Sequence, residues 1–315
     1  MNDAQALMRR YGLQPKRSLA QNFLTDEAHL ARIAAAADLT ANDTVIEIGP
    51  GLGVLTKHLA AQAGRVIAVE LDDRLIDVLK EQFADRPHVS IVHADILNVQ
   101  PVELIAATLD SQNAPSPPLP PISEQPNCAW DGEGWGGPRR DFPYKFPYKV
   151  VANLPYYITS AVLRHLLEST ARPQLAVLLM QKEVAERICA QPGDLSLLAV
   201  SVQFYAAPTL VHRIPAGAFY PRPKVDSAVL RLDVYDQPAA PDVDEQLFFK
   251  VVRAGFSQKR KQIHNSLRSG LTLSKTEITE WLARAEIDPK RRAETLTLAE
   301  WGELCRTSPS AAIGL

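Results

Sequence analysis

The feature that most constrains the fold is a regular alternation of short apolar runs and helical stretches between Thr44 and Asp95. Three runs rich in β-branched residues predict buried strands: TVIEI (44–48), RVIAVE (65–70) and VSIVHAD (89–95). Helical patterns near 55–61 and 74–83 separate these runs. Strands that alternate with single helices require right-handed crossovers and a parallel sheet. The sequence therefore predicts an α/β fold.

Later segments extend the predicted sheet. YKVVAN (148–153) and QLAVLLMQ (174–181) are apolar runs, and a helical pattern near 161–168 lies between them. AVLRLDV (228–234) alternates apolar and polar residues, which is typical of an antiparallel strand with one solvated face. We predict that this last run is an antiparallel edge strand.

Two stretches of unusual composition divide the chain. Residues 111–147 are dense in Pro, Gly and Trp, which cannot sustain a helix or a central strand, so we predict a disordered surface insertion. DQPAAPDVD (236–244) reads as a linker, and four amphipathic helical patterns follow it. We expect a sheet domain over 1–236, which carries the insertion, and a small all-helical domain over 237–315.

Composition narrows the class of protein. The chain has 315 residues and a formal net charge of -2, which favours no particular partner. Its three cysteines, Cys128, Cys189 and Cys305, lack the spacing of a metal site or disulfide framework. The first residues form no long apolar core and the apolar runs are short, so we expect neither a signal peptide nor a segment that spans a bilayer. We expect a cytoplasmic protein without a metal.

A glycine loop follows the first predicted strand. Gly49, Gly51 and Gly53 precede the first helix, where glycines let the backbone approach a ligand and the helix N-terminus offers unpaired N–H groups. Glu70 ends the second predicted strand, where an acid can accept hydrogen bonds from ribose hydroxyls. These features alone leave a dinucleotide site open.

Asp95 shifts the balance towards another cofactor. It ends the third predicted strand, where its carboxylate could bind the exocyclic amine of an adenine. The third glycine follows the second by two residues, whereas the dinucleotide fingerprint has three. Glycine loop and acids at three successive strand ends resemble the S-adenosylmethionine site of class I (Rossmann-like) methyltransferases. For either acid alone, a helix N-cap or a solvated strand end is the alternative.

The tetrapeptide Asn153-Leu154-Pro155-Tyr156 stands at the end of the fourth predicted strand. It resembles the motif of methyltransferases that act on exocyclic amines of nucleobases, although Asn and Pro are also ordinary turn residues. The resemblance implies that the Asn153 side-chain oxygen and the carbonyl of Leu154 or Pro155 hold the target amine. Tyr156 would then stack on a flipped-out adenine.

Further segments extend the resemblance over nearly the whole chain. SLAQNFLTD, EIGPGLGVLT, VVANLPYYITSAV, AFYPRPKVDSAVLRL and RRAETLTLAEW resemble the signatures of the bacterial small-subunit ribosomal RNA adenine N6,N6-dimethyltransferases of the KsgA/RsmA type. That family implies dimethylation of two adjacent adenosines near the 3′ end of 16S rRNA within the 30S ribosomal subunit, with S-adenosylmethionine as methyl donor. Phe219 would be a stacking face opposite Tyr156. The donor site would be lined by Asn22, Leu24, Gly49, Gly51, Glu70, Asp95 and Asn153.

The chain departs from the family pattern in two places. Ala20 replaces the glycine usual before QNFL, which could tighten that loop, and the insertion over 111–147 is unusual. A related family, the 23S rRNA dimethyltransferases of the macrolide-resistance type, is the nearest alternative function. An assembly factor that mainly binds immature 30S particles is a second alternative.

Basic residues bracket the predicted site although the whole chain is slightly acidic. That asymmetry favours a surface that contacts RNA phosphates, whereas a charge run is more often a solvated helix face. We expect a monomer that binds neither DNA nor a membrane. The basic residues are Lys250, Arg253, Lys259, Arg260, Lys261, Arg268 and Lys275, then Arg9, Arg10, Lys16 and Arg17, and Arg222 and Lys224 beside Phe219.

Overall fold

A computed structural model describes residues 3–16, 21–110 and 146–309. These residues divide into two compact units. The first comprises 3–16, 21–110, 146–185 and 209–234, and the second comprises 186–208 and 235–309. The predicted insertion lies outside the described residues except for Phe146 and Pro147, so its character stays a prediction.

A seven-stranded mixed sheet is the centre of the fold. The strands of the described residues are β1 Phe23–Leu24, β2 Thr44–Ile48, β3 Arg65–Glu70, β4 Val89–His93, β5 Lys149–Asn153, β6 Leu175–Gln181, β7 Ala206–Ile214, β8 Phe219–Tyr220 and β9 Ser227–Val234. The large sheet has the order β4-β3-β2-β5-β6-β9-β7, and β1 pairs with β8 in a separate two-stranded sheet. The pairs from β4 through β6 are parallel, which confirms the predicted parallel sheet.

The central strands form where the sequence is most apolar. Val45 and Ile46 on β2, Val150 on β5 and Val177 on β6 are fully buried. A parallel strand is covered on both faces, so it reads as a continuous apolar run rather than as an alternation. This is why the inner strands could be located from the sequence.

The predicted position of the last strand was wrong. β9 is antiparallel to β6, as expected, but β7 lies outside it and occupies the edge of the sheet. β7 was not predicted, because Pro208 lies near its start and proline reads as a break in a strand. The order of strands depends on contacts distant in sequence, which the alternation of β9 does not encode.

The helices begin at side-chain caps in several places. They are α1 Asp3–Arg10, α2 Glu27–Ala35, α3 Val54–Ala60, α4 Asp73–Gln82, α5 Pro101–Asp110, α6 Thr159–Leu167, α7 Lys182–Ile188, α8 Leu197–Gln203, α9 Glu245–Phe256, α10 Ile263–Leu271, α11 Lys275–Arg284 and α12 Leu298–Arg306. Asp26, Asp72 and Asp244 cap α2, α4 and α9 by accepting backbone N–H groups. Within the described ranges, no helix is long and apolar enough to cross a membrane.

The second unit is helical and packs around aromatic side chains. Phe204 stacks on Phe248 with ring centroids 4.1 Å apart, and Trp281 and Trp301 are fully buried. The helices predicted from the sequence over 246–256, 275–285 and 298–306 match α9, α11 and α12 closely. The helix predicted over 259–269 corresponds to α10, which begins only at Ile263 because the residues before it form a turn. Residues 186–208 belong to this unit. The predicted boundary between the two domains stays a prediction, and so does the RNA-binding role of the helical domain.

Candidate active site

A cavity in the first unit opens at the carboxyl ends of β2, β3 and β5. Parallel strands place their carboxyl ends at one edge of the sheet, so residues distant in sequence meet there. All the predicted site residues line this cavity. They are Asn22, Leu24, Gly49, Gly51, Glu70, Asp95, Asn153, Leu154, Pro155, Tyr156 and Phe219.

The glycine loop needs glycine for two different reasons. Gly49, Gly51 and Gly53 have φ angles of 69°, 58° and 74°, in the left-handed region. A Cβ on Gly51 would lie 3.0 Å from the Phe23 ring, beside the cavity. Gly53 does not line the cavity, and a Cβ there would lie 2.9 Å from the Phe83 ring. Gly53 therefore serves packing between α3 and α4 rather than ligand approach.

Glu70 is tied to the glycine loop. Its Oε2 accepts the Gly51 N–H at 3.0 Å, and its Oε1 accepts the N–H groups of Leu71 and Asp72 at 2.8 Å each. Burial raises the pKa of Glu70, although these hydrogen bonds oppose the shift. A carboxylate has about four acceptor positions, so Oε2 retains room for about one further donor.

Asp95 lines the cavity, but its predicted place in the sheet was wrong. β4 ends at His93, and Asp95 instead caps a short 3-10 helix over Ile96–Asn98. Its Oδ1 accepts the Leu97 N–H at 3.0 Å, and its Oδ2 accepts the Asn98 Nδ2 at 3.3 Å. The helix-cap alternative is thus correct for this acid, yet capping leaves acceptor capacity facing the cavity.

The Asn-Leu-Pro-Tyr turn presents two acceptors. Asn153 Nδ2 donates to the Asn22 carbonyl at 3.3 Å, and Asn153 Oδ1 has no hydrogen-bond partner within the described ranges. The Leu154 N–H donates to the Leu179 carbonyl at 3.2 Å, which anchors the turn to β6. The Pro155 carbonyl accepts the Ile158 N–H at 3.2 Å, whereas the Leu154 carbonyl has no donor among the residues that the structure describes.

Two aromatic side chains line the cavity beside these acceptors. The Tyr156 hydroxyl and the Ser227 hydroxyl lie 2.8 Å apart in a hydrogen bond, which fixes the tyrosine ring. Phe219 is only 5% exposed and lies on β8 opposite Leu24. The β1–β8 pairing thereby brings the QNFL and AFYPRP segments to the same cavity.

Glu47 and Tyr157 are among the cavity residues that were not predicted from the sequence. Glu47 lies inside β2, is 1% exposed and has an Oε2 atom without a hydrogen-bond partner in the described part of the chain. Burial, aided by the charge of Glu70 and opposed by Thr56, raises the pKa of Glu47 to about 8. An acid within an apolar strand is a signal that could have identified Glu47. Tyr157, 60% exposed, also lines the cavity, and nothing in its sequence context distinguishes it.

The chain matches a family model and curated relatives over most of its length. The model described as ribosomal RNA adenine dimethylase matches residues 12–306. A "Ribosomal RNA small subunit methyltransferase A" from Dehalococcoides mccartyi is 44% identical, over 97% of this chain and 92% of that protein. The protein of the same name from Moorella thermoacetica is 45% identical, over 96% of this chain and 95% of that protein.

Solved structures share the fold. The 23S rRNA methyltransferase ErmE has a TM-score of 0.63 at 26% identity, covering 90% of this chain and 98% of that one. A dimethyladenosine transferase from Plasmodium falciparum has a TM-score of 0.66 at 23% identity, covering 90% and 95%. These matches confirm the predicted class I methyltransferase sheet with a helical C-terminal part. The chain is therefore a methyltransferase that belongs to the ribosomal RNA adenine dimethylase family.

Proposed function

We propose that the protein dimethylates N6 of two adjacent adenosines near the 3′ end of 16S rRNA, in the 30S ribosomal subunit, with S-adenosylmethionine as methyl donor. The observation that carries the proposal is the pair of acceptors at the turn, Asn153 Oδ1 and the Leu154 carbonyl, beside the glycine loop and two acids. An exocyclic amine has two N–H groups, which these acceptors match.

The residues around the glycine loop fit a cationic nucleoside donor. Bound S-adenosylmethionine supplies an electrophilic methyl group on a sulfonium centre. Glu70 retains about one acceptor position at Oε2 for a ribose hydroxyl, and Asp95 faces the cavity where an adenine amine could donate. The buried Glu47 Oε2 lacks a partner among the described residues, as expected for an acceptor that awaits a ligand donor.

The turn would align the target amine. An aromatic amine is a poor nucleophile because its lone pair is delocalised into the ring. Two hydrogen bonds from its N–H groups to Asn153 Oδ1 and the Leu154 carbonyl would favour a pyramidal nitrogen and direct the lone pair towards the donor. Pro155 fixes the backbone that presents the carbonyl. We assign the second acceptor to Leu154, because the Pro155 carbonyl already accepts the Ile158 N–H.

Tyr156 and Phe219 would hold the target base. A base that reacts at an exocyclic atom must leave its stack, and aromatic side chains replace the lost stacking. The bond between the Tyr156 and Ser227 hydroxyls holds one ring in place, and burial of Phe219 holds the other. Neither side chain acts as a base, because methyl transfer first gives a positively charged aminium group, which is acidic and loses its proton readily to water.

Relatives favour the small subunit as the substrate. The proteins named small subunit methyltransferase A are 44–45% identical to this chain, whereas the 23S rRNA methyltransferase ErmE is 26% identical. Enzymes that share a fold can differ in the RNA that they accept. The choice of RNA substrate therefore depends on the residues that face the RNA and not on the shared sheet.

The proposed phosphate surface lies in the second unit. Lys259, Arg260 and Lys261 occupy the turn before α10 and are exposed. Arg10 and Lys16, which the sequence analysis grouped with the RNA-contacting residues, instead pair with Glu81 at 3.1 Å and Asp72 at 2.9 Å. We therefore leave these two side chains out of the phosphate surface, and Arg17 lies outside the described residues.

The test is methyl transfer from labelled S-adenosylmethionine to purified, unmethylated 30S particles, with 50S particles in a parallel reaction. We expect N6,N6-dimethyladenosine at two adjacent positions near the 3′ end of 16S rRNA, located by mass spectrometry of nuclease fragments. Transfer to 50S particles alone would replace the proposal with the 23S activity. Absence of transfer to both particles would contradict it altogether.

A further inference from the structure

A buried carboxylate lies outside the cavity and is hydrogen-bonded towards two sides of it. Asp72 follows β3 by two residues, and its side chain is 0% exposed. It accepts hydrogen bonds from Lys16 Nζ at 2.9 Å, Gln21 Nε2 at 2.9 Å, and Arg74 Nε and Nη2 at 2.9 and 2.6 Å. Burial alone would raise the pKa of Asp72, but the bonds from Arg74, Lys16 and Gln21 outweigh it and hold the pKa well below its usual range.

These bonds dock the N-terminal segment onto the end of the sheet. Lys16 and Gln21 come from that segment, 56 and 51 residues before Asp72 in sequence. Gln21 Oε1 also accepts the Lys16 N–H at 2.8 Å, and Arg74 Nη1 donates to the Gln14 carbonyl at 3.3 Å. Asp72 is therefore the acceptor at which the segment and the start of α4 meet.

The docked segment reaches the proposed catalytic amide in one further step. Gln21 precedes Asn22, whose carbonyl accepts Asn153 Nδ2 at 3.3 Å. The oxygen and the nitrogen of an amide group diverge from one carbon, so holding Nδ2 at Asn22 directs Oδ1 away from it. On the other side, the Asp72 N–H donates to Glu70 Oε1 at 2.8 Å. One residue thus supports both the amide and the acid of the cavity.

We propose that Asp72 is a positioning residue for methyl transfer. Through Gln21 and the Asn22 carbonyl it holds the Asn153 amide in the orientation that presents Oδ1 to the target amine. The inference rests on the proposed function, because it assigns the purpose of the network to that reaction. It also gives the charge of Lys16 a role that needs no contact with RNA, because its ammonium group neutralises a buried carboxylate.

In the alternative, Asp72 only stabilises the fold. Exchanging the donor and the acceptor of the hydrogen bond between Gln21 and Asp72 distinguishes that role from positioning. Gln21→Glu places a second carboxylate against Asp72, which should repel the segment. Adding Asp72→Asn removes one of the two negative charges and lets an amide N–H donate to the new carboxylate, which must then also accept the Arg74 Nη2 that Asp72 Oδ2 holds in wild type. Asp77→Asn is the matched control, since Asp77 is an exposed acid on the same helix.

Single-turnover methylation of 30S particles at saturating donor and enzyme is the first measurement. We expect Gln21→Glu to slow transfer roughly 10- to 100-fold, the scale of a misplaced reacting group. The double variant Gln21→Glu/Asp72→Asn should recover most of the rate, and Asp77→Asn should match wild type. A wild-type rate for Gln21→Glu, or a double variant no faster than Gln21→Glu, would overturn the inference.

A second measurement does not depend on activity. The side-chain amide signal of Asn153 in a ¹⁵N-labelled sample, assigned by its loss in Asn153→Ala, reports the bond to the Asn22 carbonyl. We expect this signal to shift in Gln21→Glu and to return in the double variant. Gln21→Met, which removes the bond without adding a charge, tests the same shift if Gln21→Glu does not fold. An unmoved signal in a folded Gln21→Met variant contradicts the inference.

The two failures are distinguishable. If wild-type protein transfers no methyl group to 30S particles, the proposed function fails, whatever the amide signal does. If wild-type protein is active but the variants leave the rate and the Asn153 signal unchanged, only the positioning role of Asp72 fails.

Discussion

Two buried acids at the cavity differ in the hydrogen bonds that their carboxyl oxygens accept. Glu70 accepts three backbone N–H groups, whereas Glu47 Oε2 has no partner in the described ranges. Burial disfavours the charged form of a carboxyl, all the more where one oxygen lacks a donor, and this is the main reason that the pKa of Glu47 is raised to about 8. Near neutral pH, Glu47 is therefore largely protonated in the folded protein without bound donor.

This state predicts a pH dependence of stability. Between about pH 4.5 and pH 8, folded Glu47 retains a proton that the unfolded chain has lost, so its contribution to stability falls as pH rises. Glu47→Gln removes the titration. We expect the free energy of unfolding of wild type, relative to this variant, to fall by up to about 5 kcal/mol across that window. Urea unfolding at several pH values without donor measures it.

The control for this prediction is Glu280→Gln, which changes an exposed acid in the same way. Its stability difference from wild type should stay nearly constant with pH. A constant difference between wild type and Glu47→Gln would show that Glu47 is ionised in the folded protein and finds a partner there.

Asn153 is the residue on which the proposed chemistry depends most. Asn153→Ala removes the Oδ1 acceptor, and we expect the single-turnover rate on 30S particles to fall roughly 100-fold or more, the scale of one preorganised polar contact. Donor affinity must be measured separately by calorimetry, since Asn153 also lines the cavity that we propose for the donor. Transfer at the wild-type rate would reduce Asn153 to a turn residue.

Two variants of Tyr156 distinguish the stacking of its ring from the hydrogen bond of its hydroxyl. Tyr156→Phe keeps the ring and loses only the bond to Ser227, so it should retain most activity. Tyr156→Ala removes the stacking face, and we expect a loss of ~1–3 kcal/mol in binding of the base. Comparison of RNA affinity and transfer rate for the pair measures this. Equal behaviour of the two variants would show that the ring does not stack on the target.

At the level of elements, the turn from β2 into α3 constrains packing as well as the cavity. Gly53 caps α3 with φ of 74° and lies against α4. Gly53→Ala should lower the free energy of unfolding by about 1–3 kcal/mol, because it adds backbone strain and overpacking against Phe83. Urea unfolding measures the loss.

Gly217→Ala is the matched control for the turn, because a Cβ there meets no atom within 4 Å and its φ is not positive. It should be close to neutral. If both variants are equally stable, the contact between α3 and α4 adjusts to the added methyl group without a loss in the free energy of unfolding. Since Gly53 does not line the cavity, donor affinity of folded Gly53→Ala should match wild type.

At the scale of the whole molecule, charge distribution matters more than total charge. The net charge of -2 would not attract RNA, yet Lys259, Arg260 and Lys261 are exposed together. If they contact phosphates, replacing all three with Ala should weaken 30S binding and reduce its log–log salt slope by up to ~3. Binding titrations at several salt concentrations measure the slope.

Replacing the exposed Lys57 and Lys80 with Ala is the control for that surface. These lysines belong to the first unit and have no proposed RNA contact, so the slope should not change. If the triple variant has the same salt slope as wild type, the three basic residues form a solvated surface and do not contact phosphates.

The sequence by itself determined the centre of the sheet and those residues of the cavity that stand at its strand ends. The inner strands are apolar on both faces, which makes them visible as runs, and helices between them force a parallel order. Once the order is parallel, residues at successive strand ends must converge. Gly49, Glu70 and Asn153 could therefore be placed in one site before any contact was known.

Only the tertiary structure decided which groups satisfy one another. The bond from Asn153 to Asn22 joins residues 131 apart, that between Tyr156 and Ser227 spans 71, and that from Gln21 to Asp72 spans 51. The outer position of β7 is a tertiary outcome of the same kind. Local patterns report burial and backbone preference, but a hydrogen bond between distant residues depends on where the folded chain brings its donor and acceptor.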